Sequence, residues 1–153
     1  MDNSRNGAAI LNADNMKPGG PPQTGTVDIK NTGSIDGNFK LTRDQLTNSD
    51  TEPANPSAFA SKVDVWVVDC GPYTTSNTPY GTETNAPICG DADDNTLYNG
   101  TLANQNAPIA LGTFHPGDQH RYWFGALLDG TAGPEYEGDG ASARYLFGAN
   151  QTQ

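Results

Sequence analysis

The side chains of this sequence best suited to chemistry are a run of carboxylates at positions 91 to 95. Asp91, Asp93, Asp94 and Asn95 place three carboxylates and an amide within five residues, and Ca²⁺ prefers oxygen ligands of this kind. The spacing resembles the start of a helix–loop–helix calcium loop. However, no glycine stands at the sixth position, and Leu102 occupies the twelfth, where a glutamate is required. Two interpretations stay open, a loose calcium site and a solvated acidic turn.

The two histidines, His115 and His120, flank a Pro-Gly-Asp turn. A catalytic or metal-binding role requires a cysteine, histidine or carboxylate partner, and the sequence supplies none by spacing. The sequence also lacks the Gly-x-Ser-x-Gly, His-Glu-x-x-His and Gly-x-x-x-x-Gly-Lys motifs of common hydrolases and nucleotide-binding proteins. We therefore predict that the protein is not an enzyme, that it has no catalytic residues, and that calcium is the one cofactor to consider.

Cys70 and Cys89 each precede a glycine and bracket a polar loop. The acidic composition, rich in Thr, Asn and Gly and with only eight Lys and Arg residues, favours an exported protein, in which a disulfide persists. We predict a disulfide between them, which would stabilise the fold by roughly 3 kcal/mol in the chain-entropy description. A reduced pair and a metal site with other ligands are the alternatives.

Tyr73 and Tyr80 lie in the loop between these cysteines, among Thr, Ser and Asn residues. Loops held on a rigid scaffold often bind ligands, and tyrosine rings can stack on sugars. This pattern predicts an alternative function, that of a cell-surface adhesin or carbohydrate-binding module that uses the Cys70–Cys89 loop. The competing interpretation is a structural or variable surface loop.

The overall composition limits the classes of partner. A chain of 153 residues is long enough for one domain with a single core. Its net charge of −10 argues against binding to nucleic acid or to anionic membrane surfaces, and no apolar run approaches the ~18 residues of a membrane span. No signal-peptide pattern follows Met1, and we interpret the chain as a trimmed mature domain.

The elements that position these residues are predicted to be strands. Bulky residues are nearly continuous over 122–128, as in a strand buried on both faces, and Tyr145 and Phe147 share one face of an alternating run over 141–149. Further strands are predicted at 7–12, 24–31, 36–43, 62–69 and 107–114, a helical turn at 57–61, a loop at 45–56, and a short helix or strand edge at 97–102.

Seven or eight strands, with turn signals about every 10 residues, predict an all-β fold. We expect an antiparallel two-sheet β-sandwich, jelly-roll-like, with little helix. Residues 24–31 and 36–43 would form a hairpin or a pair that crosses between the sheets. Residues 1–23 form an N-terminal segment with a Pro/Gly turn, and residues 24–153 form the single domain.

Several short stretches share their motifs with a known family. They are Lys17-Pro18-Gly19 with a strand ending in Asn31-Thr32-Gly33, Tyr98-Asn99-Gly100-Thr101-Leu102, Pro116-Gly117-Asp118 with the strand after it, and residues 133–138 with the last strand to Gln151. Together they resemble the TasA/CalY (camelysin-like) family along nearly the whole chain. Each motif alone is a short turn signature.

The resemblance implies a secreted, extracellular or cell-surface jelly-roll domain whose relatives are subunits of biofilm-matrix fibres. Its partners would be further copies of the chain, with other matrix or cell-surface proteins as additional candidates. Some relatives carry a metallopeptidase label, which gives a third candidate function, but the sequence contains no zinc-ligand set to support it.

Family members have an extra strand before the Lys-Pro-Gly turn, and here only residues 7–12 stand in that place. If this segment were donated to the open sheet edge of the next molecule, subunits would polymerise by donor-strand exchange. Main-chain hydrogen bonds would drive the exchange, with Ala8, Ile10 and Leu11 as interface contacts. The alternative is a strand that pairs within its own domain.

Overall fold

The structure, a computed structural model, describes residues 1–13, 15–50, 58–73 and 86–151. In these ranges it contains eight β-strands and two short 3-10 helices, Phe59–Ser61 and Pro134–Tyr136. The strands are β1 (Asp2–Asn3), β2 (Gln23–Lys30), β3 (Gly37–Ser49), β4 (Val63–Pro72), β5 (Asn95–Thr101), β6 (Ile109–Phe114), β7 (Gln119–Leu128) and β8 (Gly140–Gln151). None of the helices in the described ranges is long and apolar enough to cross a membrane.

The strands form two antiparallel sheets. The larger has the order β1-β2-β7-β4-β5, and the smaller has the order β6-β3-β8. The prediction of an all-β, antiparallel two-sheet sandwich with little helix is therefore confirmed. Because β2 and β3 lie in different sheets, the predicted pair at 24–31 and 36–43 crosses between the sheets and is not a hairpin.

Strand β7 is the centre of the larger sheet because its sequence provides apolar side chains for both faces. On the inner face Tyr122, Phe124 and Ala126 are buried in the core. On the outer face Trp123 meets Trp66 of β4 edge to face, with ring centroids 5.9 Å apart. The prediction of a strand buried on both faces is confirmed for the inner face, whereas Trp123 and Leu127 on the outer face are half-buried.

The two sheets pack through the aromatic face predicted for β8. Tyr145 meets Phe124 with ring centroids 5.3 Å apart, and Phe147 meets Tyr122 at 6.0 Å. Alternation along a strand sends every second side chain to the same face, so one run of sequence supplies a whole side of the core.

Two predictions about local structure are corrected. The predicted loop at 45–56 is wrong over 45–49, where β3 continues because β8 runs opposite it as far as the pair Ser49 and Gly140. Leu46 packs against a second core cluster, which includes Phe59, Val63 and Leu128, while its polar neighbours face outward. The predicted strand at 7–12 is also wrong, since those residues have irregular backbone. Residues 97 and 98 belong to strand β5, at the sheet edge.

Candidate functional site: the free edge of the smaller sheet

The described strands leave four sheet edges, at β1, β5, β6 and β8. Strand β1 has two residues, and the ladders of β5 and β6 are each interrupted by a register shift. Strand β8 has 12 residues and pairs with β3 alone among the described strands. Its one register shift comes from the extra residue Asp44, which lies on β3. Long, regular edges invite pairing with another chain, so β8 is the candidate interaction site.

A groove of about 780 Å³ lies beside this edge. Consecutive residues 140–147 of β8 all line it, as expected when the edge of a strand, and not one of its faces, borders the space. Opposite them stand the inner-face residues Val65, Phe124 and Ala126 of the larger sheet. The groove is therefore where a fourth strand of the smaller sheet would lie.

Residues 7–13 form a further wall of the same groove. Ile10 and Leu11 are half-buried and pack against the core clusters, whereas Ala8 is exposed. The Ile10 carbonyl comes so close to β2 that a Cβ on Gly25 would lie 1.9 Å from its oxygen. The segment proposed from sequence as a donor thus lines the groove of its own subunit and packs against β2, without strand structure.

Residues 2–5, which precede this segment, lie along the edge of β2. Asp2 and Asn3 pair with Lys30 and Ile29. Ser4 continues this pairing through its backbone, whose N–H donates to the Asp28 carbonyl (3.0 Å). Two side-chain contacts follow: the Asp28 N–H donates to Ser4 Oγ (2.8 Å), and Arg5 Nε–H donates to the Thr26 carbonyl (2.6 Å). These contacts cover the edge of β2, so that β8 is the long edge without a second partner among the strands that the structure describes.

A buried ion pair lies on the outer face of the larger sheet next to Ser4. Arg121 donates from Nε and Nη2 to the two carboxylate oxygens of Asp28, at 2.8 and 3.0 Å, and Asp28 is 2 % exposed. This hydrogen bonding raises the pKa of Arg121 above its usual value. Strands β2 and β7 are therefore joined by an ion pair with two hydrogen bonds as well as by their backbone ladder.

Tyr73 takes part in this cluster instead of facing solvent. It is 9 % exposed, and its ring lies 5.8 Å from the Arg121 guanidinium carbon. Burial is the main cause that raises the pKa of the Tyr73 hydroxyl, and the nearby Asp28 carboxylate raises it further. Tyr80 lies outside the described residues, so a ligand-binding role for the Cys70–Cys89 loop stays a prediction, with one of its two tyrosines already used in a structural contact.

The predicted disulfide is confirmed. Cys70 and Cys89 are bonded, with an S–S distance of 2.06 Å and Cα atoms 5.0 Å apart. The bond joins the end of β4 to the chain that leads into β5, and these two strands are neighbours in the larger sheet. The disulfide is compatible with an extracellular location, and the reduced-pair and metal-site alternatives are dropped.

The acidic run at 91–95 has its own local structure. The Asp94 carboxylate accepts hydrogen bonds from the backbone N–H groups of Gly90 and Asp91, the latter at 3.0 Å. Asp91, Asp93 and Asn95 are exposed. In the described part of the chain, no three or more His, Cys, Asp and Glu side chains are grouped so as to hold a metal ion. The calcium site and the solvated acidic turn both stay predictions, and the Asp94 carboxylate is already bonded to the backbone of its own turn.

The two histidines have carboxylate partners that sequence spacing could not reveal. His115 Nδ1 lies 2.9 Å from Asp36 on the surface, and His120 Nδ1 lies 3.0 Å from both carboxylate oxygens of Asp69. The His120 ring also stacks on Phe114, with centroids 4.5 Å apart. Each histidine thus belongs to a separate pair that joins distant parts of the chain.

The His115 pair should give a small pH dependence of stability. Its hydrogen bond to Asp36, and then the Asp36 charge, raise the pKa of His115. A raised folded pKa gives a contribution that is complete below the unfolded pKa of about 6.5 and is lost as the pH rises through the folded value. We expect the urea midpoint of the wild type to exceed that of Asp36→Asn below about pH 6.5, and the difference to shrink as the pH rises through the raised pKa of His115. A difference that is constant with pH would contradict this.

Comparison of the sequence with models of known protein families, and with curated proteins, finds no match.

Proposed function

We propose that the protein is a structural subunit of an extracellular fibre, in a biofilm matrix or on a cell surface, and that copies join by donor-strand exchange of the N-terminal segment. The observation that carries this proposal is the edge of β8, which pairs with β3 alone among the described strands and borders a groove. A donated strand would bond through its main chain to β8 and place alternate side chains in the groove.

The dimensions of the groove suit a short apolar strand. Seven residues in extended form span about 23 Å at 3.3 Å per residue, and residues 141–147 of β8 offer an edge of the same length. In an extended segment Ala8 and Ile10 share one face, and Leu11 faces the other way. Ala141 and Ala143 of β8 pack against the second core cluster and are only partly buried. Their small, half-exposed side chains leave room for an inserted side chain beside them.

Charge supports a contact made by backbone and apolar groups. The subunit has a net charge of −10, so copies repel each other at low ionic strength. Residues 6–13, by contrast, contain no charged side chain, and Arg144 of β8 is engaged with Asp44 on its own sheet, with Nε 2.9 and 3.0 Å from the carboxylate oxygens. The proposed joint is therefore an uncharged region on an acidic surface.

Two further observations agree with the proposal. The sequence motifs resemble those of the TasA/CalY family, whose members include matrix-fibre subunits. The Cys70–Cys89 disulfide is of the kind that persists outside the reducing cytosol. On this proposal the protein acts by assembly, its main partner is a second copy of the same chain, and its location is extracellular.

Deleting residues 1–14 should abolish filament formation, because the shortened chain keeps the acceptor groove and lacks the donor. The measurement is electron microscopy with light scattering over a concentration series at moderate salt, where charge repulsion is screened. We expect filaments from the full chain and none from the shortened one. Added in small amounts to the full chain, the shortened chain should also limit filament length.

A matched pair of point variants separates the donor face from general charge effects. Ile10→Asp places a charge on the face that would enter the groove, whereas Ala9→Asp adds the same charge to the opposite face. We expect Ile10→Asp to prevent assembly and Ala9→Asp to allow it. Filaments that form equally well from the deletion variant, or a full chain that stays monomeric at every concentration, would refute the proposal.

A further inference from the structure

Gly25 of β2 is in direct contact with the backbone of the N-terminal segment. A Cβ at this position would lie 1.9 Å from the Ile10 carbonyl oxygen and 2.7 Å from its carbon, far closer than real Cβ contacts. Gly25 is not among the glycines with positive φ, so its backbone conformation does not require glycine. Space for the Ile10 carbonyl is what requires it.

This contact places the segment closer to β2 than a strand of the opposite sheet could lie. Facing sheets in a sandwich are separated by about 10 Å, and side chains fill the space between them. At that separation an alanine Cβ on the inner face of β2 would be an ordinary neighbour. The position now occupied by Ile10 and that of a strand paired with β8 are therefore different, and both border the same groove.

We infer that residues 7–13 act as a removable plug, which closes the acceptor groove of the isolated subunit and must leave before a segment from a second copy can pair with β8. The inference rests on the donor-strand function proposed above and adds its regulation. Ile10 and Leu11 supply the plug's contacts with the core, and residues 2–5 tether the plug to β2. Gly25 sets the fit, because any larger residue would displace the plug.

The test uses Gly25→Ala, with Gly148→Ala as its matched control. Both variants replace a strand glycine by alanine, but at Gly148 the nearest atom to the new Cβ is Lys40 Cε at 3.6 Å, an ordinary contact. Gly148 also lies beyond the residues of β8 that line the groove. The probe is a fluorescent peptide with the sequence of residues 7–13, added to dilute protein, and hydrogen exchange of the same residues in the protein is measured alongside.

Gly25→Ala should capture the peptide on the order of 10-fold faster than the wild type and Gly148→Ala, because a larger fraction of molecules has an open groove. Amide exchange over residues 7–13 should rise in parallel. Leu11→Ala provides a second route to the same state, since it weakens the plug without adding any atom. It should also capture the wild-type peptide faster, and it keeps the test available if Gly25→Ala folds poorly.

Each other outcome overturns the inference in a distinguishable way. Equal capture by the wild type, Gly25→Ala and Leu11→Ala would mean that the segment does not obstruct the groove, while the donor-strand function stands. Slower capture by both variants would mean that the segment supports the acceptor and does not block it. Capture by none of these chains, together with no filaments from the full chain, would overturn the proposed function and the inference with it.

Discussion

Replacing Arg121 with methionine should lower the free energy of unfolding by about 3–5 kcal/mol, the range measured when one member of a buried ion pair is removed. The Asp28 side chain is 4 % exposed and that of Arg121 is 20 % exposed, so bulk water cannot hydrate the carboxylate in place of the guanidinium. Methionine is similar in length and apolar, so the loss reports on charge and hydrogen bonding more than on packing. The loss of stability is measured by chemical denaturation, with tryptophan fluorescence as the signal.

Three companion variants define what the loss means. Arg121→Lys should be intermediate in stability, because an ammonium group cannot form the two parallel bonds of a guanidinium. The double variant Asp28→Leu with Arg121→Met should recover most of the stability, because no buried charge is left. Arg144→Met removes an arginine whose side chain is 56 % exposed, and its effect should be much smaller. An Arg121→Met loss no larger than that of Arg144→Met would contradict the argument.

This ion pair also shows where sequence reasoning stops. Side-chain alternation along β2 puts Val27 and Ile29 in the core and Asp28 on the opposite face, but alternation alone cannot tell that Asp28 is buried there. Arg121 lies 93 positions away along the chain, and Tyr73 comes from the chain just after β4. Burial on the outer face is decided by what other elements place over it, which local periodicity does not encode.

The aromatic faces could be predicted because their cause is local. Successive side chains of a strand point to opposite sides, so the alternation around Tyr145 and Phe147 fixes which residues face the core before any partner is known. The nearly continuous apolar run around Tyr122 similarly indicates a strand with apolar side chains on both faces. Both predictions agree with the structure, and together they determine how the two sheets meet.

The site itself needed information from the whole fold. The edge status of β8 follows from the order of strands in the smaller sheet, and the pairing of its first residues with β3 was hidden by the polar sequence at 45–49. Residues 7–12 look like a strand because they are apolar, yet a strand exists only where a partner accepts its hydrogen bonds. Gly25 is the single sequence signal of the observed contact, and a strand glycine has several other common explanations.

Replacing Cys70 and Cys89 together with alanine should lower the free energy of unfolding by about 3 kcal/mol, since the bond closes a loop of roughly 20 residues. Cys70 is 7 % exposed, and alanine is the better replacement because serine would bury a hydroxyl group there. Strand β4 keeps its ladders with β7 and β5, so the variant should still fold. Its midpoint of denaturation should fall well below that of the oxidised wild type.

A reductant separates loss of the bond from loss of side-chain packing. Dithiothreitol should move the wild type most of the way to the stability of the double variant and leave the double variant unchanged. If the oxidised wild type and the double variant had equal stability, the loop would be constrained by other contacts and the bond would be dispensable. A loss of the expected size would mean that a fibre built from this subunit is most stable where thiols stay oxidised, which is the extracellular location that the proposed function requires.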